Sequence, residues 1–142
     1  MKDRFETFTI LINRVNRNIK KIKNKEMEAY NLRSIHTTCL YYIYLNENIT
    51  ASKLYHRMEE DKAAISRALD YLQENGFIAM ENSQEKKYRC PLILTDKGKK
   101  VAKQIVDKIN AILSEVGLNK DERETFISQL SDISSKIENI LK

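Results

Sequence analysis

The sequence predicts a mainly α-helical fold interrupted once by a small β-hairpin. Three observations carry that reading. Apolar residues recur at steps of three and four over long stretches near both ends of the chain, the period of an α-helix. Asp, Thr and Asn stand just before such stretches and Gly just after, where helices start and stop. The period changes once, after Gly76, to a short alternation that suits paired strands.

The elements follow in order. Phe5, Phe8, Ile12, Val15, Ile19 and Ile22 form a narrow seam on a first helix, with the break expected at Asn24–Lys25. A lone helix cannot hide such a seam, so it must pack on something. Ser34 to Leu45 is apolar-rich and reads as a second helix, with Ile35, Cys39, Leu40, Ile43 and Tyr44 as its buried face. Asn46 to Asn48 reads as a turn, and Thr50 as the N-cap of a short third helix, Ala51 to Met58. Asp61 is the next N-cap. It opens a fourth helix with Ile65, Leu69 and Leu72 inward, which Gly76 ends as a left-handed cap.

Phe77 to Glu81 then reads as a strand and residues 82 to 87 as a loop. Tyr88, Cys90, Leu92 and Leu94 alternate with Arg89, Pro91 and Ile93 as the returning strand. Pro91 cannot donate to a ladder, so that strand should lie at an edge or carry a break. Thr95 or Asp96 caps a fifth helix with Val101, Ile105, Ile109, Ile112 and Leu113 on one face, stopped by Gly117. Asn119, with Glu122 three residues on, opens a sixth helix whose seam is Phe126, Leu130, Ile133, Ile137 and Ile140. The first and last helices thus both read as partners in a helical bundle.

The 142 residues suit one domain, and no stretch is apolar enough to span a membrane. The start, MKDRFETF, lacks a signal-peptide core, which favours the cytoplasm. Cys39 and Cys90 are too few for a disulfide scaffold. The net charge of +5 is uneven: residues 1–27 carry +5, whereas residues 50–95 are neutral. Bulk charge alone is therefore a weak pointer to nucleic acid.

The third and fourth helices are short and joined by a tight turn, and a hairpin follows. That is a helix-turn-helix followed by a wing. The reading explains "EEDKAAISRALDYLQENGFI", whose leading end is uncluttered. A recognition helix enters the major groove N-terminus first, where bulky side chains would collide with the duplex. Ala63 and Ala64 permit close approach; Lys62, Ser66 and Arg67 can reach base edges or phosphates. Arg67, opposite Ile65 and Leu69, is the best candidate for a base contact.

At these residues the sequence resembles the MarR family of transcriptional regulators. The matching stretches are "ITASKLYHRMEEDKAAISRALDYLQENGFI", "EKKYRCPLILTDKGKKV" and "GLNKDERETFISQLSDI". The resemblance implies one domain throughout, with residues 1–27 and 117–142 as dimerisation helices. Residues 34–96 would be the winged helix-turn-helix core and 97–116 a linking helix. It further implies a homodimer that reads a pseudo-palindromic operator on double-stranded DNA as a ligand- or stress-responsive repressor, without a cofactor.

DNA contacts are expected from Thr50, Ser52, Lys62, Ala63, Ala64, Ser66, Arg67, Lys86, Lys87 and Arg89. The dimer is expected through Phe5, Phe8, Ile12, Val15, Phe126, Leu130, Ile133, Ile137 and Ile140. His36, Cys39 and Tyr42 are candidates for an effector pocket. The family's Asp-x-Arg wing motif is absent; Glu85-Lys86-Lys87 begins one residue earlier, so Lys86, Lys87 or Arg89 must substitute.

Competing readings stand beside these. Taken alone, Lys62, Ser66 and Arg67 read as a solvated helix face and the wing lysines as a solubilising tip; the cap, the spacing and the wing favour DNA contact. His36 and Cys39 share a helix face, but two ligands do not make a metal site. Cys39 on an apolar face reads as a buried thiol rather than an oxidant sensor; Cys90, beside Arg89, is somewhat better placed for sensing. The neutral segment 50–95 motivates an alternative, a helical dimer that binds proteins instead of DNA. No nucleophile–base pair, glycine-rich phosphate loop or apolar carboxylate pair suggests an enzyme.

Overall fold

The computed structural model describes residues 4–80 and 89–142, with side chains from Thr7 onward. Among the described residues, six α-helices and two strands follow one another as α1 (Arg4–Met27), α2 (Ser34–Leu45), α3 (Ala51–Arg57), α4 (Lys62–Glu74), β1 (Ile78–Met80), β2 (Leu92–Leu94), α5 (Asp96–Glu115) and α6 (Lys120–Leu141). The chain divides into two compact units, Met1–Val106 and Asp107–Lys142.

In the first unit α2 is the central helix, packed by α1, α4 and β2. Leu40, Leu54, Ile65, Leu72, Phe77, Leu92 and Val101 are almost fully buried around it. Each such side chain contributes about 1.5–3 kcal/mol relative to exposure. Of the expected face of α2, Cys39, Leu40 and Ile43 are buried, and Thr37 is buried beside them. Ile35 is half-buried and Tyr44 exposed, because a helix packed on several sides does not bury a single stripe. Thr37 tolerates burial by donating its hydroxyl to the Arg33 carbonyl, 3.1 Å away.

The first helix runs past the break expected at Asn24–Lys25. Its real stop is a 3-10 turn, Glu28–Tyr30, closed by Asn31 in the left-handed region at φ 57°. The Asn31 N–H donates to the Glu28 carbonyl and the Leu32 N–H to that of Met27. Asn24 serves another purpose. Its Oδ1 accepts the Ser34 N–H at 2.6 Å and so satisfies a free donor at the start of α2.

The strands are shorter than the alternation suggested, and they pair antiparallel with Ile78 opposite Leu94 and Met80 opposite Leu92. Arg89 and Cys90 stand outside β2, and Pro91 forms an isolated bridge with Thr50. The Leu92 N–H then donates to the Ile49 carbonyl at 2.8 Å, so β2 is bonded on both sides. Pro91 is accommodated at the strand's entry, where the ladder breaks, and not at an edge.

"LTDKG" is the joint between α4, the strands and α5. The Thr95 hydroxyl accepts the Gly98 N–H at 3.1 Å, capping α5. The same hydroxyl donates toward the Gly76 carbonyl at 2.6 Å. Lys97 Nζ donates to the Asn75 carbonyl at the end of α4, 3.0 Å away, and lies 4.3 Å from the centre of the Phe77 ring. Gly98 is buried against the Phe77 backbone. Gly76 and Gly117 end their helices at φ 77° and 79°, as expected from their positions.

Within α5, Val101, Ala102 and Ile105 are buried, whereas Ile109 and Ile112 are only half-buried and Leu113 is exposed. In the second unit Asn119 and Glu122 cap α6 reciprocally, with distances of 2.8 and 3.2 Å. No residue of α6 is buried. Its seam stands open, with Phe126 at 55% exposure and Ile137 at 44%. On α1 the seam residues Ile12, Val15 and Ile19 are likewise exposed and Phe8 is half-buried. The Phe5 side chain lies outside the described residues.

Candidate nucleic-acid interface

Helix α3 starts at Thr50, whose side chain accepts the Lys53 N–H at 3.3 Å, and α4 starts at Asp61, whose Oδ1 accepts that of Ala64 at 2.8 Å. Both caps are the ones the sequence indicated. They leave the other N–H groups of each first turn free for outside partners. Ile65, Ala68, Leu69 and Leu72 turn inward from α4. Lys62, Ala63, Ser66 and Arg67 are exposed on the opposite side, and Ala64 is half-buried. The helix thus presents small and cationic side chains outward along its leading half. Ser52 is half-buried on α3, and Arg89 is exposed just before β2. Lys86 and Lys87 lie outside the described residues.

Two features fix the surroundings of α4. Lys62 Nζ lies 5.3 Å from the centre of the Tyr55 ring, a cation–π contact that ties the start of α4 to α3. On the other flank, a groove of about 460 Å³ runs between α4 and the start of α2. It is lined by Asn31, Arg33, His36, Ala64, Arg67 and Tyr71, among others. Sequence reasoning missed Arg33, Asn31 and Tyr71 here. The available signal was that Tyr71 stands four residues after Arg67, on the same helix face.

The three effector-pocket candidates do not converge on one cavity. His36 lines the groove just described, its ring stacked on Tyr71 at 4.5 Å between centroids. Burial, and secondarily the nearby Arg33, lower its pKa. Cys39 is fully buried with its Sγ 3.7 Å from Met58 Sδ. Burial, reinforced by the negative charge of Glu60, pushes its thiol up to about 12. Tyr42 is half-buried and meets Tyr41 edge-on at 6.0 Å. The larger groove in this unit, about 600 Å³, lies elsewhere: Ile43, Tyr44 and Leu92 wall it, and Lys99, Lys100 and Lys103 edge it.

No group of three or more His, Cys, Asp or Glu poised to hold a metal occurs among the described residues. No described helix is long and apolar enough to cross a membrane.

Comparison with known proteins places this geometry. A MarR protein from Peptoclostridium difficile shares the fold at a TM-score of 0.83 and 20% identity, over 98% of this chain and 92% of that one. A putative MarR family transcriptional regulator from Listeria monocytogenes, complexed with 26mer DNA, aligns at 0.78 and 23%, over 98% and 91%. MarR from Staphylococcus aureus, in complex with salicylate and kanamycin, aligns at 0.78 and 23%, over 94% and 92%. No curated protein matches the chain. Residues 34–87 match the model of the MarR family. The chain is thus similar to the MarR family over residues 34–87 and shares the fold of MarR structures along nearly its whole length.

Proposed function

We propose that this protein is a sequence-specific DNA-binding transcriptional regulator that acts as a homodimer on a pseudo-palindromic operator. The observation that carries the reading is α4: capped at Asp61, buried on one side, and exposing Lys62, Ala63, Ser66 and Arg67 on the other. Small residues at the leading end admit the helix to a major groove, and the cations and hydroxyl reach edges and phosphates there. Relatives of the same fold support it, since one is complexed with 26mer DNA. The reading is of a binding protein and not of a catalyst.

The dimer rests on the open seams of α1 and α6, whose aliphatic residues are too regular and too exposed for a lone chain in water. Two-fold symmetry then places half-sites about 34 Å apart, one helical turn.

Ligand-responsive repression is the finer part of the proposal. The 600 Å³ groove combines apolar walls with three lysines against one carboxylate, Glu47, an excess of positive charge that suits a small aromatic anion; the Staphylococcus aureus relative is complexed with salicylate. An electrophoretic mobility assay on the DNA upstream of the protein's own gene tests the function. A retarded band that operator DNA competes away, and random DNA does not, is expected; no retardation at any salt concentration defeats the proposal. Salicylate added to the bound complex tests the ligand response.

A further inference from the structure

The groove beside α4 is walled by two helix ends braced against each other. The Tyr71 hydroxyl of α4 donates to the Asn31 carbonyl at 2.7 Å, and the Tyr71 ring stacks on His36. His36 Nδ1 in turn accepts the Arg33 N–H at 2.9 Å. That bond settles the neutral imidazole's tautomer: the proton is on Nε2, which is left as a donor. Arg33 at the start of α2 and Arg67 on α4 both line the groove, and no carboxylate does. Neither guanidinium has a carboxylate partner among the described residues. Two unpaired planar cations and a neutral N–H donor, on a braced floor, match the needs of a phosphodiester: several donors and no competing acceptor acid.

We infer that this groove is a phosphate-binding cleft in which Arg33, at the start of α2, holds the DNA backbone beside the strand that α4 reads. The inference rests on the DNA-binding reading and adds a residue to it. Arg67, on the α4 wall, joins the cleft to the exposed face of the helix. Phosphate contacts fix register and orientation without reading sequence, so Arg33 sets how α4 is seated and not which bases it prefers. The brace matters because it fixes the Arg33 backbone through its N–H, so the start of α2 is already in place when a duplex binds. The backbone is favoured over a free anion because the cleft is an open groove continuous with Ala64 and Arg67 on the exposed helix.

Fluorescence anisotropy with labelled operator and random duplexes, over a series of salt concentrations, tests this. Arg33→Ala leaves the bond from its own N–H to His36 in place and should fold normally by circular dichroism. It should weaken operator and random duplex by the same factor, about tenfold at low salt. It should also flatten the slope of log affinity against log salt by about one for each phosphate that is no longer neutralised. Arg33→Lys should recover the slope and part of the affinity, and Lys136→Ala on α6 should change neither. If wild type binds and Arg33→Ala matches it in affinity and slope, the cleft proposal is wrong while the function stands. If inorganic phosphate raises the melting temperature of wild type but not of Arg33→Ala, with duplex binding equal, the groove is a free-anion site and the backbone role is overturned. If wild type binds no duplex, the functional reading falls first and takes this one with it.

Discussion

Gly98→Ala replaces one hydrogen with a methyl group, yet the structure predicts a large loss of stability. A Cβ built at Gly98 would lie 1.9 Å from the Phe77 carbonyl oxygen, 3.0 Å from its carbon and 3.3 Å from Leu94 Cδ2. The obstacle is backbone, so no rotamer change relieves it. The oxygen must withdraw until the gap reaches at least 3.0 Å. It is held where it is by the Thr95 N–H at 3.1 Å, and the start of α5 is held by the Gly98–Thr95 cap, also 3.1 Å. Separating the two sides strains or breaks both bonds, each worth about 0.5–1.5 kcal/mol net. Overpacking of the buried joint adds about 1–3 kcal/mol. Against this, alanine gains at most about 1 kcal/mol over glycine in a helix.

The balance is a destabilisation of about 1–5 kcal/mol, centred near 3. Gly76→Ala provides the comparison. Its φ of 77° strains an L-residue, but nothing lies within 4 Å of the added carbon. It should cost about 1–2 kcal/mol, partly offset through the unfolded chain. Urea denaturation followed by circular dichroism, at one fixed protein concentration because a dimer couples stability to concentration, measures both. A Gly98→Ala protein as stable as wild type, or more stable than Gly76→Ala, would refute the close approach of α5 to the Phe77 carbonyl.

Three further outcomes are expected. Cys39, held near 12 and without exposed surface, should resist iodoacetamide at pH 8 in the native protein and react once the chain is unfolded in urea; peptide mass mapping that finds native Cys39 alkylated within minutes contradicts its burial. His36 has its folded pKa lowered from the usual 6.5, so the unfolded chain takes up the proton first. Stability from this residue is present above pH 6.5 and is lost as pH falls from there toward the lower folded value; His36→Gln, which keeps an acceptor for the Arg33 N–H, should remove that part of the pH dependence in urea titrations. Ile133→Asp with Ile137→Asp puts two charges on the exposed seam of α6, where each aliphatic side chain buried in a dimer would contribute about 1.5–3 kcal/mol; sedimentation should find the wild type dimeric and the double variant monomeric.

What the sequence disclosed and what it concealed divide along a physical line. Thr50, Asp61, Asn119 and Glu122 were legible because a cap is a local bond, decided within one turn of chain. Gly76 and Gly117 were legible for the same reason, since glycine's ready acceptance of positive φ is a property of the residue itself. Asn24 and Asn31 show where this stops. Both are asparagines near the end of an apolar seam, and either can end a helix. Which one does so depends on Ser34, ten residues beyond Asn24, needing an acceptor for its N–H. The face of α2 was legible at Cys39, Leu40 and Ile43 but not at Ile35, Thr37 or Tyr44, because its burial comes from several neighbours distant in sequence. The candidate site divides likewise. The exposed cations of α4 follow from one helix's period, so the sequence names them. The groove with Arg33 requires the chain to return Tyr71 to Asn31 across 40 residues, through a bond no local pattern announces. The exposed face of one helix is therefore readable from sequence, and the groove at its flank is not. That flank is where backbone contacts set the helix's seating, so substitutions at Arg33 test what the sequence alone could not have suggested.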